Sequence, residues 1–235
     1  MNRYNVISSK NKREMLLLKG TSCIYGKCSF CNYILDNSND LEEINRVNFE
    51  ALSNVTGIYK KLEIVNSGSV FELPKETLIE IKRICEDKCI EVIYFEAYFS
   101  YINRLIEIVD FFPNQKVRFR IGLETFDDDF RVEILNKKFY ISDDKIFNNI
   151  KNKYWGVLLM ICIKGQTKEG ILNDINMAID NFNEVTISVF NNNDTVIEQD
   201  DKLLEWFSLY VYPNLIDNEN IEILIDNKDL GVYVQ

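Results

Sequence analysis

The sequence predicts an α/β fold, a partial (β/α)6 barrel laid out as a single domain over residues 1–235. Three observations carry that expectation. Six strand-like apolar runs alternate with helical segments along the chain. Each run is followed by enough helix to cross back to a parallel neighbour with the right-handed connection that twisted sheets impose. The runs are also nearly continuously apolar, as strands become when helices cover the sheet. A doubly wound open sheet is the second arrangement these elements allow. In both, ligands collect at the carboxyl ends of the strands.

The elements follow in order. Glu14-Met15-Leu16-Leu17-Leu18-Lys19 is the first strand, closed by Gly20, with a cysteine loop over residues 20–33. Asn45 to Tyr59 reads as a helix. Leu62 to Asn66 is the second strand, ended by Ser67-Gly68-Ser69. Pro74 opens a helix running to about Asp87, since proline suits a first helical position. Ile90 to Glu96 is strand three and Tyr101 to Phe112 its helix. Val117 to Glu124 is strand four. Its helix starts after Thr125, a residue able to cap, with Asp127, Asp128 and Asp129 at the positive end of the macrodipole. Gly156 to Ile163 is strand five, Lys168 to Phe182 a helix, Val185 to Phe190 strand six and Ile197 to Tyr210 a further helix. Ile221 to Ile225 and Val232 to Val234 read as small terminal strands within 221–235.

Composition narrows the function. Hydrophobic residues make up 46% of 235, enough for a substantial core, and nine Gly with three Pro leave little linker. A formal charge of −10 argues against binding nucleic acid through its phosphates. No apolar run approaches the roughly 20 residues that span a bilayer, so no membrane partner is expected.

The chemistry concentrates in Cys23-Ile24-Tyr25-Gly26-Lys27-Cys28-Ser29-Phe30-Cys31, in a chain without histidine. Three close thiolates without an obvious fourth suit an iron–sulfur cube held by three of its four irons, leaving one iron open. A structural zinc site would be closed by four ligands. It would have to recruit Cys85 and Cys89, which point in different directions, or Cys162, which reads as a small buried residue. Disulfides are not expected, because Met1 to Arg13 does not read as a signal peptide. The same spacing opens the ferredoxin motif of non-catalytic electron carriers, but those are small β-rich proteins with a fourth cysteine. A reducing, cytoplasmic setting follows from a reachable cluster.

With these residues the chain resembles the radical S-adenosylmethionine superfamily, from about Leu16 to Asn192. Members carry a three-cysteine loop after the first strand of a partial barrel, with an aromatic residue before the last cysteine, where Phe30 stands. Their usual spacing is C-x3-C-x2-C; here one more residue separates Cys23 from Cys28. The resemblance implies a 4Fe-4S cluster on Cys23, Cys28 and Cys31, S-adenosyl-L-methionine on the open iron, and an external electron donor such as flavodoxin or ferredoxin. It implies cofactor contacts by Phe30 and by Ser67, Gly68 and Ser69, the alternative for these three being a plain turn. It further assigns Glu124 to the cofactor's ammonium or ribose. Arg131 is assigned to its carboxylate, the alternative being a solvated helix charge.

Segments around Ser67, Glu124 and Asn136 are similar to the superfamily branch acting on 7-deazaguanines. That likeness implies a small-molecule substrate, queuine, whose C–N bond is cleaved to release 7-aminomethyl-7-deazaguanine (preQ1) for salvage. Another small molecule or nucleoside is the alternative substrate. Glu96 is the leading carboxylate for the base edge, since unpaired buried polar groups reject wrong ligands; Asp226 is second, and a structural carboxylate the alternative. Asn191 and Asn192 are candidates for the diol, or an ordinary polar turn. Tyr98, Phe99 and Phe71 are candidate stacking surfaces, or core.

Overall fold

The computed structural model describes residues 2–226 and 228–233. The chain groups into two compact units, one of residues 1–26, 33–120 and 230–235, the other of 27–32 and 121–229.

In the first unit, strand β1 (Tyr4–Ile7) pairs antiparallel with β2 (Arg13–Leu18). Strand β2 then pairs in parallel with β3 (Lys61–Asn66), β3 with β4 (Val92–Glu96), and β4 with the start of β5 (Lys116–Glu124). Between them run α1 (Leu41–Leu52), α2 (Lys75–Asp87) and α3 (Leu105–Phe111). Strand side chains alternate in direction. Accordingly Leu16, Leu18, Leu62, Ile64, Ile93 and Phe95 are buried together with Ile44 and Leu52 of α1 and Ile81 of α2. On the opposite face, Met15 and Leu17 form a smaller cluster with Ile7 and Val232. Polar groups are buried too: Glu63 lies between the guanidinium groups of Arg13 and Arg120. Burial alone would raise its pKa, but the two arginines outweigh that and hold it below the ordinary carboxylate range.

In the second unit the remainder of β5 is followed by α4 (Asp144–Lys153), β6 (Gly156–Ile161), α5 (Lys168–Asn181), β7 (Glu184–Val189), α6 (Asp201–Trp206), α7 (Tyr212–Leu215) and β8 (Ile221–Leu224). Strands β6, β7 and β8 pair in parallel.

The six parallel strands expected from sequence are β2 to β7, and β8 is the first of the expected terminal strands. Val232 and Tyr233 form no strand; Tyr233 makes an isolated bridge to Asn2, and Val234 lies outside the described residues. Strand β1 was not expected, because Tyr4-Asn5-Val6-Ile7 is too short a run to show a period. Helix boundaries also differ. α1 starts at Leu41 rather than Asn45 because Asp40 caps it, accepting from the N–H groups of Glu42 and Glu43. It ends at Leu52, and the chain turns through Gly57 at φ +77°, where an added Cβ would lie 2.6 Å from the Lys88 carbonyl oxygen. The helix expected after Thr125 is a single π turn, Phe130–Ile134. The segment expected from Ile197 starts at Asp201 after the Asp200 cap and runs through a π turn, Phe207–Val211, into α7. Helix α4 went unpredicted. Among the described residues no helix is long and apolar enough to cross a membrane.

Candidate active site

Cys23 belongs to the first unit, directly after β2 and the Gly20-Thr21-Ser22 turn. Thr21 donates its N–H (2.9 Å) and its hydroxyl (3.0 Å) to the Glu72 carbonyl. Ile24 donates its N–H to Glu72 Oε1 at 3.1 Å. The Ser67-Gly68-Ser69 turn that ends β3 packs beside this segment: a Cβ on Gly68 would stand 3.6 Å from Cys23 Cα and 3.0 Å from Glu72 Oε2. The first is an ordinary contact; the second is tight, so the missing side chain makes room for the Glu72 carboxylate. Tyr25 stacks on Tyr98, ring centroids 5.5 Å apart. Glu96 ends β4 in register with Arg120, half-buried.

Cys28 and Cys31 belong to the second unit. Their segment is pinned from three sides. Ser29 N–H donates to the Leu135 carbonyl (2.9 Å), Asn136 Nδ2 to the Lys27 carbonyl (2.6 Å) and Asn193 Nδ2 to the Phe30 carbonyl (3.0 Å). Phe30 packs against the apolar cluster of Leu135, Ile163, Phe190 and Ile197, and Lys137 Nζ lies 5.8 Å from its ring centroid. Lys137 also donates to Glu124 Oε1 at 2.6 Å. Glu124 adopts φ +67°, a left-handed conformation that non-glycine residues rarely take and that clusters at ligand sites.

Arg131 does not stand as a solvated helix charge. It is completely buried, donating to the carbonyls of Thr125 (2.6 Å) and Phe139 (3.1 Å) and pairing with Asp128. Its guanidinium thus faces the protein, where it clamps the turn after Glu124. On the other side of that turn, Asp174 of α5 accepts the Phe126 N–H at 2.8 Å. A cavity of about 60 Å³ beside Asp174 is lined by Thr125, Phe130, Gly165 and Thr167. Burial pushes the Asp174 carboxyl up to about 6, against the lowering effect of hydrogen bonds from the Thr125 side chain and the Phe126 N–H.

The other expected contacts are placed as follows. Asn191 Nδ2 donates to the Val189 and Ile225 carbonyls, and Asn192 Oδ1 accepts the Gln199 N–H. Phe71 stacks on Tyr101 at 4.4 Å with the Arg104 guanidinium 4.9 Å from its centroid. Phe99 is half-buried at the start of a 3-10 turn. Asp226 is exposed, accepting the Lys228 N–H. Three residues went unmarked in the sequence: Glu72, Asp174 and, as a partner for Glu124, Lys137. Only the Ser-x-x-Glu spacing of Ser69 and Glu72, a capping-box pattern, offered any signal.

The donor set fits an iron–sulfur cluster by its chemistry. Cys23, Cys28 and Cys31 are half-buried and form no disulfide. The thiols of Cys85 and Cys162 are buried and pushed up to about 12, chiefly by desolvation. As the side chains stand, no group of three His, Cys, Asp or Glu among the described residues is set to hold a metal ion. The assignment to a cluster thus rests on ligand type and loop.

The chain is similar over its whole length, and over 100% of the other chain, to queuine lyase from Clostridium spiroforme bound to SAM and queuine, at 39% identity and a TM-score of 0.94. It is also similar to Streptococcus suis SuiB bound to S-adenosylmethionine (17% identity, TM-score 0.55, 92% of this chain and 48% of that one). Methylornithine synthase gives 12% identity and a TM-score of 0.54, covering 92% of this chain and 73% of that one. These last two establish likeness of fold alone. No protein-family model and no curated protein matches the chain.

Proposed function

Since the chain belongs to the queuine lyase family of radical S-adenosylmethionine enzymes, we propose that it cleaves the C–N bond of queuine and releases 7-aminomethyl-7-deazaguanine. The observation that carries this reading is the full-length match at 39% identity to a lyase that binds both SAM and queuine. A bound 4Fe-4S cluster and S-adenosylmethionine supply one-electron chemistry that ends in hydrogen abstraction from the substrate.

The chain's own residues hold and orient these groups. Cys23, Cys28 and Cys31 are the iron ligands, with Phe30 seated in the apolar cluster that fixes the second half of their loop. The Ser67-Gly68-Ser69 turn takes the cofactor's amino end, its glycine lying against the Glu72 carboxylate. Glu124 takes the ammonium or ribose, its rotamer set by Lys137. Arg131, the residue assigned to the cofactor's carboxylate, also supports the Thr125 carbonyl from within the protein and so shapes the Glu124 turn. On the substrate side, Glu96 pairs with donors on the deazaguanine edge, while Asn191 and Asn192 shape the loop after β7 near the diol. Six cysteines without a disulfide suit a reducing compartment such as the cytoplasm. The electron comes from a separate donor protein of the flavodoxin or ferredoxin kind.

The test is anaerobic reconstitution with iron and sulfide, then reduction with S-adenosylmethionine, with and without queuine. Queuine-dependent 5′-deoxyadenosine together with the aminomethyl base is the expected result. Production of 5′-deoxyadenosine that ignores queuine would retain the radical enzyme and remove this substrate.

A further inference from the structure

Glu72 sits in the first unit at the end of the 3-10 turn Val70–Glu72, only 5% exposed. Every group that its carboxylate meets is a donor. Oε1 accepts the Ile24 N–H at 3.1 Å and the Tyr101 hydroxyl at 2.8 Å, while Oε2 accepts the Ser69 N–H. Its backbone carbonyl accepts twice from Thr21. Thr21 and Ile24 straddle Cys23, so one residue anchors the chain on both sides of that cysteine. Ser69, in turn, accepts the Tyr98 N–H on its hydroxyl at 2.8 Å and receives Asn66 Nδ2 on its carbonyl at 3.0 Å.

A capping box accounts for the contact with Ser69. It does not account for Ile24 or Tyr101, which come from the cysteine loop and from the 3-10 turn after β4. An acceptor-only carboxylate suits this junction because a carboxamide offers one oxygen and one donor nitrogen, so one of the three donors would then face another donor.

We infer that Glu72 is a positioning residue that locks Cys23, the Ser67–Ser69 turn and Tyr101 into one rigid junction. An iron ligand and the turn that meets the cofactor's amino group are thereby held in fixed register. This rests on the reading of Cys23 as a cluster ligand and of the turn as a cofactor contact. Glu72 itself touches neither iron nor substrate; it acts through the backbone of Ile24, Thr21 and Ser69.

The experiment compares wild type, Glu72→Gln and Tyr101→Phe, each reconstituted anaerobically. Iron per chain, thermal midpoint, the electron paramagnetic resonance spectrum of the reduced cluster with and without S-adenosylmethionine, KM for S-adenosylmethionine and kcat are measured. Glu72→Gln is expected to keep its iron and fold, to raise KM for S-adenosylmethionine about tenfold for one mispaired donor, and to blunt the spectral change on S-adenosylmethionine addition. Tyr101→Phe removes one donor and leaves two, so it shifts both readouts the same way by roughly two- to fivefold. A folded Glu72→Gln with unchanged KM and spectrum overturns the inference. If that variant does not fold, an unchanged Tyr101→Phe overturns it. A wild-type cluster that ignores S-adenosylmethionine removes the functional reading, and this inference with it; the wild-type control separates that failure from a failure of Glu72 alone.

Discussion

Lys137 Nζ lies 2.6 Å from Glu124 Oε1, with both side chains at least nine-tenths buried, and the pair closes directly over Gly122. A Cβ on residue 122 would stand 2.6 Å from that carboxylate oxygen and 2.9 Å from the ammonium. The absent side chain on β5 is thus the space in which this ion pair forms. A buried pair broken on one side is expensive because the remaining charge is left without a partner.

Gly122→Ala is therefore expected to displace the pair. The atoms it meets are the far ends of two long side chains, so the fold survives at about 1–3 kcal/mol of lost stability, as for other overpacked sites. Affinity for S-adenosylmethionine falls more than stability does. Chemical denaturation together with ligand titration checks both parts; an alanine variant with full affinity would remove Glu124 from the cofactor site.

Replacing Cys23, Cys28 or Cys31 singly by alanine is expected to abolish stable iron binding. Cys85→Ala should keep it, because burial holds that thiol protonated, its pKa pushed up to about 12. The Cys85 change costs only about 1–2 kcal/mol of packing. Iron and sulfide analysis after reconstitution tests this, and iron loss in Cys85→Ala would reopen the choice of ligands.

Arg131→Lys separates two roles. A single ammonium cannot serve the Thr125 carbonyl, the Phe139 carbonyl and Asp128 together as the guanidinium fork does. Loss of about 2–4 kcal/mol in folding stability is expected, since buried acceptors are left unpaired. A variant of unchanged stability with weaker S-adenosylmethionine binding would instead place Arg131 against the cofactor.

Asp174 gives a prediction in pH. Its carboxyl titrates at about 6 in the folded protein against an ordinary 3.8, so the folded state holds the proton that the unfolded state has lost. Its contribution is full below the ordinary value and declines as pH rises through about 6. Asp174→Asn should remove that decline, making the variant more stable than wild type at pH 7, relative to pH 4, by up to about 3 kcal/mol. Urea denaturation of both proteins across that window is the measurement. Parallel pH curves for the two would show that Asp174 does not carry the proton.

Much of the fold was legible because it is written in local signals. The six apolar runs became β2 to β7, since continuous burial on both faces leaves a readable trace. Helix starts at Asp40 and Asp200 depended on single capping residues, so those boundaries moved by four residues. Strand β1 and helix α4 were not legible: one is only four residues long, and the other, with Ile150 as its only buried residue, has a weak apolar stripe.

The cysteine loop, the small-residue turn after β3 and the carboxylate ending β5 could be located from sequence alone, because each is a particular residue type in a short run of chain. Which groups each of these charges meets was decided only by tertiary structure. Arg131 and Glu124 stand seven positions apart and look equally available in sequence. Folding turns the first toward the carbonyls of Thr125 and Phe139 and pairs the second with Lys137. Glu72 gives the same lesson over a longer range, for its donors at positions 24, 69 and 101 come from three separate segments of chain. A buried carboxylate takes its role from the groups that desolvation forces it to pair with, and those groups are neighbours in space before they are neighbours in sequence.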